Sequence, residues 1–189
     1  AVTSINCLAN KFGEEDLATL LTAIEGTSVR SLCGLTEGQT VADFSGQNLG
    51  PIDMKIMAAE YGFQGFIAAI DEVNVSMNPI GVDGAKALAE VLPDSSLKCL
   101  IIGPKSTRLP VNDAEVTELN FEGQDFTPPE VTLVAAATST MAAVTRLILN
   151  DNPLTGDFYD ADKDISGVTT LFDTLKTSSV TELGLAKCR

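Results

Sequence analysis

Histidine and tryptophan are absent from these 189 residues, and only 12 lysines and arginines stand against 26 acidic side chains. Without histidine there is no Ser–His or Cys–His dyad, and zinc loses its usual nitrogen ligand. The formal net charge of −14 is shared by both halves of the chain. Such a surface repels phosphate backbones and disfavours nucleic acid as a partner. Long apolar runs are missing as well: the longest, around Phe66–Ile70, is far too short to span a bilayer. Cys7, Cys33, Cys99 and Cys188 lie far apart, with no CxxC pair and no disulfide framework. They read as free thiols of an intracellular, reducing compartment, the cytoplasm first. Ala1 is not a start methionine and Ala-Val-Thr-Ser is no signal peptide, so a processed or truncated chain is expected, with a cleaved targeting segment left open.

What the chain does have is an internal repeat. Four segments carry apolar residues at template positions one, four, six and eleven, with an amide at position nine. They are Val2-Ile5-Cys7-Asn10-Phe12, Ile70-Val73-Val75-Asn78-Ile80, Val116-Leu119-Phe121-Gln124-Phe126 and Val144-Leu147-Leu149-Asn152-Leu154. Chance supplies about half of one such match at this composition. A further copy opens at Val180-Leu183-Leu185 with Cys188 in the amide place, and Ala42-Phe44-Gln47-Leu49 lacks only the first apolar residue.

The pattern LxxLxLxxN/CxL resembles a leucine-rich repeat, and the exchange of Asn for Cys at its ninth position is similar to the ribonuclease-inhibitor-like subclass. Val82-Asp83-Gly84-Ala85-Lys86-Ala87-Leu88-Ala89-Glu90-Val91-Leu92 resembles the helix of that subclass closely. The resemblance covers essentially the whole chain. It implies an α/β fold, a leucine-rich repeat solenoid with a curved parallel sheet inside and helices on the convex side, in one domain over residues 1–189. Solenoids bury their core against neighbours and need polar caps, and neither end shows one, so the expectation is a fragment of a longer array or a subunit docked end-on.

Each unit reads as a short strand, a turn, and then a helix or a loop. Helices are expected over Glu14–Ile24, Val82–Leu92, Pro128 to about Ala143, and Ser166–Thr177, where apolar residues recur three and four apart. Pro51–Ile70 is helical with a break near Gly62. Asn10, Gln47, Asn78, Gln124 and Asn152 are expected to form a polar ladder serving buried turn backbone. Units recur with a longer period of about 70 residues, in which every second unit has a loop in place of a helix; Pro104–Asn112 is one such loop.

For function, the strand positions flanking the inward residues are the candidates: Asp43, Glu72, Asn74, Glu118, Asn120, Arg146, Ile148 and Glu182, with Ser4 and Asn6 before them. Together they predict a mildly acidic strip suited to a basic or polar protein surface, or to neighbouring subunits. The bland alternative is a solvated sheet face, with the asparagines pairing across strands. Asp160, Asp162 and Asp164 have the spacing of a calcium-loop start, but Ile165 stands where Gly is wanted and Leu171 where a bidentate Glu is wanted. Gly103–Arg108 is a locally basic connector that an anion would suit. Neither a catalytic residue, a metal site nor a cofactor motif is assigned. The expected function is non-catalytic protein–protein interaction or an assembly scaffold, using the concave strand face or the uncapped ends. Because ribonuclease inhibitors and Ran GTPase-activating proteins resemble this repeat class, an inhibitor or GTPase-activator role is the alternative, and a structural spacer is a third.

Overall fold

Leu17, Leu20, Leu21 and Ile24 share one face of α1 (Glu14–Ile24) in the computed structural model, which describes residues 1–156 and 163–189. The other helices are α2 (Pro51–Gly62), α3 (Gly81–Val91), α4 (Pro128–Thr140) and α5 (Ser166–Leu175). Pro51 and Pro128 open α2 and α4, where the missing N–H has no intrahelical partner to lose. A carboxylate three residues past each of three N-caps turns back to accept from cap backbone: Asp16 from Gly13 N–H, Asp53 from Gly50 N–H and Glu130 from Thr127 N–H. The break expected near Gly62 is there, followed by a single 3-10 turn at Phe66–Ala69.

Among the described residues seven short strands accompany these helices: β1 (Val41–Asp43), β2 (Glu72–Asn74), β3 (Cys99–Ile102), β4 (Thr107–Pro110), β5 (Glu118–Asn120), β6 (Arg146–Ile148) and β7 (Glu182–Gly184). They do not build the single curved parallel sheet of a leucine-rich repeat solenoid. Two small sheets form instead, a four-stranded mixed one in the order β1-β2-β3-β4 and a three-stranded parallel one, β5-β6-β7. The segments around residues 74 and 120, expected in one sheet, lie in different sheets. The cause is β4. Its residues fold back antiparallel on β3, setting Leu109 opposite Leu100 and Thr107 opposite Ile102, and so occupy the edge on which β5 would have continued. The stretch read as a loop is therefore a hairpin arm. A second break follows β-like residues near the amino end, where Ser31 and Cys33 bridge back to Ser4 and Asn6 rather than forward to β1.

Both breaks fall where a strand is followed by no helix, and with the antiparallel arm β4 left out of the count this happens after every third strand rather than every second. Backbone conformation repeats with the same period. Gly46 and Asn48 after β1, and Gly123 and Asp125 after β5, have matching positive φ near 60°. Ala9, Met77, Asp151 and Lys187 take the same left-handed conformation immediately before the amide position of their units. The helices ignore the break between the sheets: α2, α3, α4 and α5 pack in one unbroken row, and α1 packs lightly against α2. α4, between two helices and the strands, is buried almost all round. A single apolar core runs between the row and both sheets, through Ala42, Val73, Leu100, Leu119 and Leu147.

Candidate interaction surface

Strand alternation turns Val73, Leu119 and Leu147 toward the core and sends their neighbours to the face away from the helices. Parallel register then decides which outward side chains meet. Glu118, Arg146 and Glu182 stand abreast on β5, β6 and β7. The Arg146 guanidinium lies between the two carboxylates, 3.0 Å from Glu118 and 2.9 Å from Glu182, and both hold it more firmly protonated. On the other sheet Arg108 of β4 reaches across β3 to Glu72 of β2 at 2.6 Å. The pair spans Cys99, and burial raises that thiol's pKa while the guanidinium lowers it in part.

Arg108 is the face residue that the repeat spacing missed. Its signal was the alternation Thr107-Arg108-Leu109-Pro110, in which Leu109 alone is buried. The basic connector is likewise no open anion cradle, because Lys105 pairs with Asp125 at 2.8 Å and Arg108 with Glu72.

Asp43, Asn74 and Asn120 serve their own turns instead of pairing across strands. Each side-chain oxygen accepts from the backbone N–H two residues on, at Ser45 (2.9 Å), Ser76 (3.0 Å) and Glu122 (3.1 Å). Asn6 does the same with Leu8. The N–H and hydroxyl of Ser45 hold the Asp43 carboxyl below the usual aspartate range. The Nδ2 groups of Asn74 and Asn120 have no acceptor among the described residues and point their donors to solvent.

Ile148 departs from expectation. It lies on the outward face but is only 6% exposed. Gly184 beside it has no side chain, and a Cβ there would stand 2.8 Å from Ile148 Cδ1; the isoleucine leans into that notch. It supports the surface and offers no contact area of its own.

The amide ladder is also shorter than its pattern. Asn152 is buried, donating to the carbonyls of Phe121 (2.8 Å) and Leu149 (2.8 Å) while accepting from Phe126 N–H (2.9 Å). Asn78 links the β1 and β2 units in the same way, through Phe44 O and Leu49 N–H. Cys188 follows Asn152 as a weaker donor to Leu149 O. Asn10 and Gln47 are exposed and bond within their own turns, and Gln124 accepts from the Thr107 hydroxyl.

Of the acidic loop Asp157–Asp164, residues 157–162 lie outside the described residues, and with them Asp160 and Asp162 of the calcium-like spacing. Asp164 accepts from Ser166 N–H at the start of α5 (2.8 Å). Among the described residues no helix is long and apolar enough to cross a membrane, and no three metal-ligating side chains converge. Compared with known proteins, the chain matches no family model and no curated sequence.

Proposed function

We propose that this chain is a non-catalytic recognition module that presents the outward faces of its two sheets to a protein with a basic or polar surface. One observation carries the reading: paired strands hold an excess of carboxylates in fixed register. Among the described strand residues Asp43, Glu72, Glu118 and Glu182 share the face with Arg108 and Arg146, so the ion pairs leave it net acidic. Complementary charge steers encounter and fixes register more than it adds affinity, and the free amide donors of Asn74 and Asn120 add directional contacts between the charged positions. The same charge argues against nucleic acid. The four unpaired thiols fit a reducing, intracellular setting.

Charge reversal tests the reading. Glu72→Lys and Glu118→Lys, compared with the unaltered chain by cross-linking and mass spectrometry in the native source, are expected to lose a specific partner while the far-UV circular dichroism stays the same. Retention of every partner by both folded variants overturns it.

A further inference from the structure

A unit without a helix separates α1 from α2 along the chain, and another separates α3 from α4. The connections that leave α1 and α3 match residue for residue. Ile24, Thr27, Val29 and Arg30 stand where Leu92, Ser95, Leu97 and Lys98 stand. Their closures differ. Asn112 enters between α3 and α4: its Nδ2 donates to the carbonyls of Leu92 (3.0 Å), Ser95 (3.0 Å) and Leu97 (3.3 Å), and its N–H donates to the Thr140 hydroxyl that ends α4 (3.1 Å). No side chain among the described residues bridges α1 and α2 in this way. Arg30 bends back on its own turn instead, and Nη1 donates to Thr27 O (3.4 Å) and Val29 O (2.8 Å), the counterparts of two carbonyls that Asn112 serves.

A cleft results. α3 and α4 are in close contact, whereas α1 packs lightly on α2, and a space of about 430 Å³ remains between the carboxyl-terminal ends of α1 and α2. Its apolar walls are Leu21, Ile24, Val29, Ala59 and Phe63, each half-buried. Clefts that take small ligands span roughly 300–1,000 Å³. Both walls are internal to the chain.

Arg30 stands at the rim of this cleft. Its guanidinium is pinned by two carbonyls, and its Nε and Nη2 donors have no acceptor among the described residues. Arg108 and Arg146 both engage carboxylates of the chain. Arg30 does not, although acidic side chains outnumber basic ones by 26 to 12. A guanidinium edge left open beside apolar walls suits a carboxylate from outside the chain, held side-on by Nε and Nη2. Glu25 lies on the same rim, and its repulsion favours a singly charged anion over a phosphate.

We propose that this cleft binds a small aliphatic monocarboxylate, with its hydrocarbon chain between Ile24 and Phe63 and its carboxylate on Arg30. None of these residues belongs to the strand face, so this inference and the recognition reading stand or fall separately.

The probe is sodium octanoate, titrated into the isotope-labelled 189-residue chain and followed through the methyl signals of Leu21, Ile24 and Val29. These are expected to shift saturably, and affinity to rise roughly threefold per methylene from butanoate to octanoate. Octanol, with the same chain and no charge, is expected to bind about fivefold more weakly. Arg30→Gln is expected to bring octanoate down to the octanol level while leaving octanol binding unchanged, a pattern that an unfolded variant does not give. Ala59→Leu, which fills the cleft, is expected to abolish both with the far-UV circular dichroism unchanged. Unmoved methyl signals at about 10 mM octanoate overturn the proposal, as does octanol or octylamine binding as tightly as octanoate. Shifts of the same signals with protein concentration alone also overturn it, because a second copy then occupies the cleft.

Discussion

Glu60 is fully buried, and its carboxylate accepts from Leu32 N–H (2.7 Å), Cys33 N–H (3.1 Å), Ile67 N–H (3.0 Å) and the Ser31 hydroxyl (3.1 Å). One side chain thereby ties α2 to the helix-less unit before it. Glu60→Ala leaves the Leu32 and Ile67 N–H groups buried without partners and Cys33 N–H with only the Ser31 hydroxyl, and is expected to cost on the order of 3–5 kcal/mol in urea denaturation. Asn78→Ala and Asn152→Ala, each severing a link between two units, are expected to cost about 1–3 kcal/mol, and Gln47→Ala within about 0.5 kcal/mol. Equal losses at Asn152 and Gln47 would contradict the ladder as described. Burial pushes all four thiols above the ordinary cysteine pKa, Cys33 furthest, with Glu60 adding to the effect. Less thiolate is then present at any pH near 8, so Ellman's reagent is expected to label half-exposed Cys188 first and Cys33 only as the chain unfolds. Asp43 titrates the other way. Its folded pKa lies below the unfolded one, so its contribution is complete above the unfolded value and disappears as pH falls through the folded one. Asp43→Asn is expected to flatten the acid limb of a pH–stability profile slightly.

Helix positions were legible because three- and four-residue spacing is a local signal, and α1 and α5 carry it plainly. Sheet membership was not. Val73 and Leu119 occupy the same template position and look alike in one dimension, yet they lie in different sheets. What separates them is β4, four residues long and ending in Pro110, too short for alternation to stand out. Ile148 eluded the pattern for a similar reason, since its burial depends on Gly184, far along the chain. A second hidden element-level signal is the pairing of helix starts. Gly84 of α3 lies against Pro51 of α2, and Gly167 of α5 against Pro128 of α4, where added Cβ atoms would come within 2.9 Å of Met54 Cγ and 2.5 Å of Pro128 O. Gly167→Ala meets backbone that cannot step aside, and a loss of about 1–3 kcal/mol is expected from thermal or urea melts. Gly13→Ala, with only the Asp16 carboxylate nearby at 3.7 Å, is expected to cost far less.

Across the molecule, one helix row joins what the strands leave as two sheets. Native-state hydrogen exchange is expected to find the slowest amides in α3 and α4, covered on both sides, and earlier local opening in α1, which packs lightly on α2 and adds the Lys55–Glu14 ion pair. The net charge of −14 makes self-repulsion a molecular property, and raising NaCl from about 0.05 to 0.5 M is expected to lift Tm by a few degrees. A fall in Tm would mean that the exposed ion pairs outweigh the repulsion.

The proline-against-glycine contacts at Pro51–Gly84 and Pro128–Gly167 constrain how such a chain can change its size. Copying one strand and its helix would set a proline-led helix against a neighbour lacking the matching glycine, or crowd a helix into the space kept for a hairpin. Copying three parallel strands with their two helices and the hairpin arm preserves every junction. Growth or loss in this architecture is therefore quantised in triplets, and an insertion of any smaller size should leave a seam that does not close.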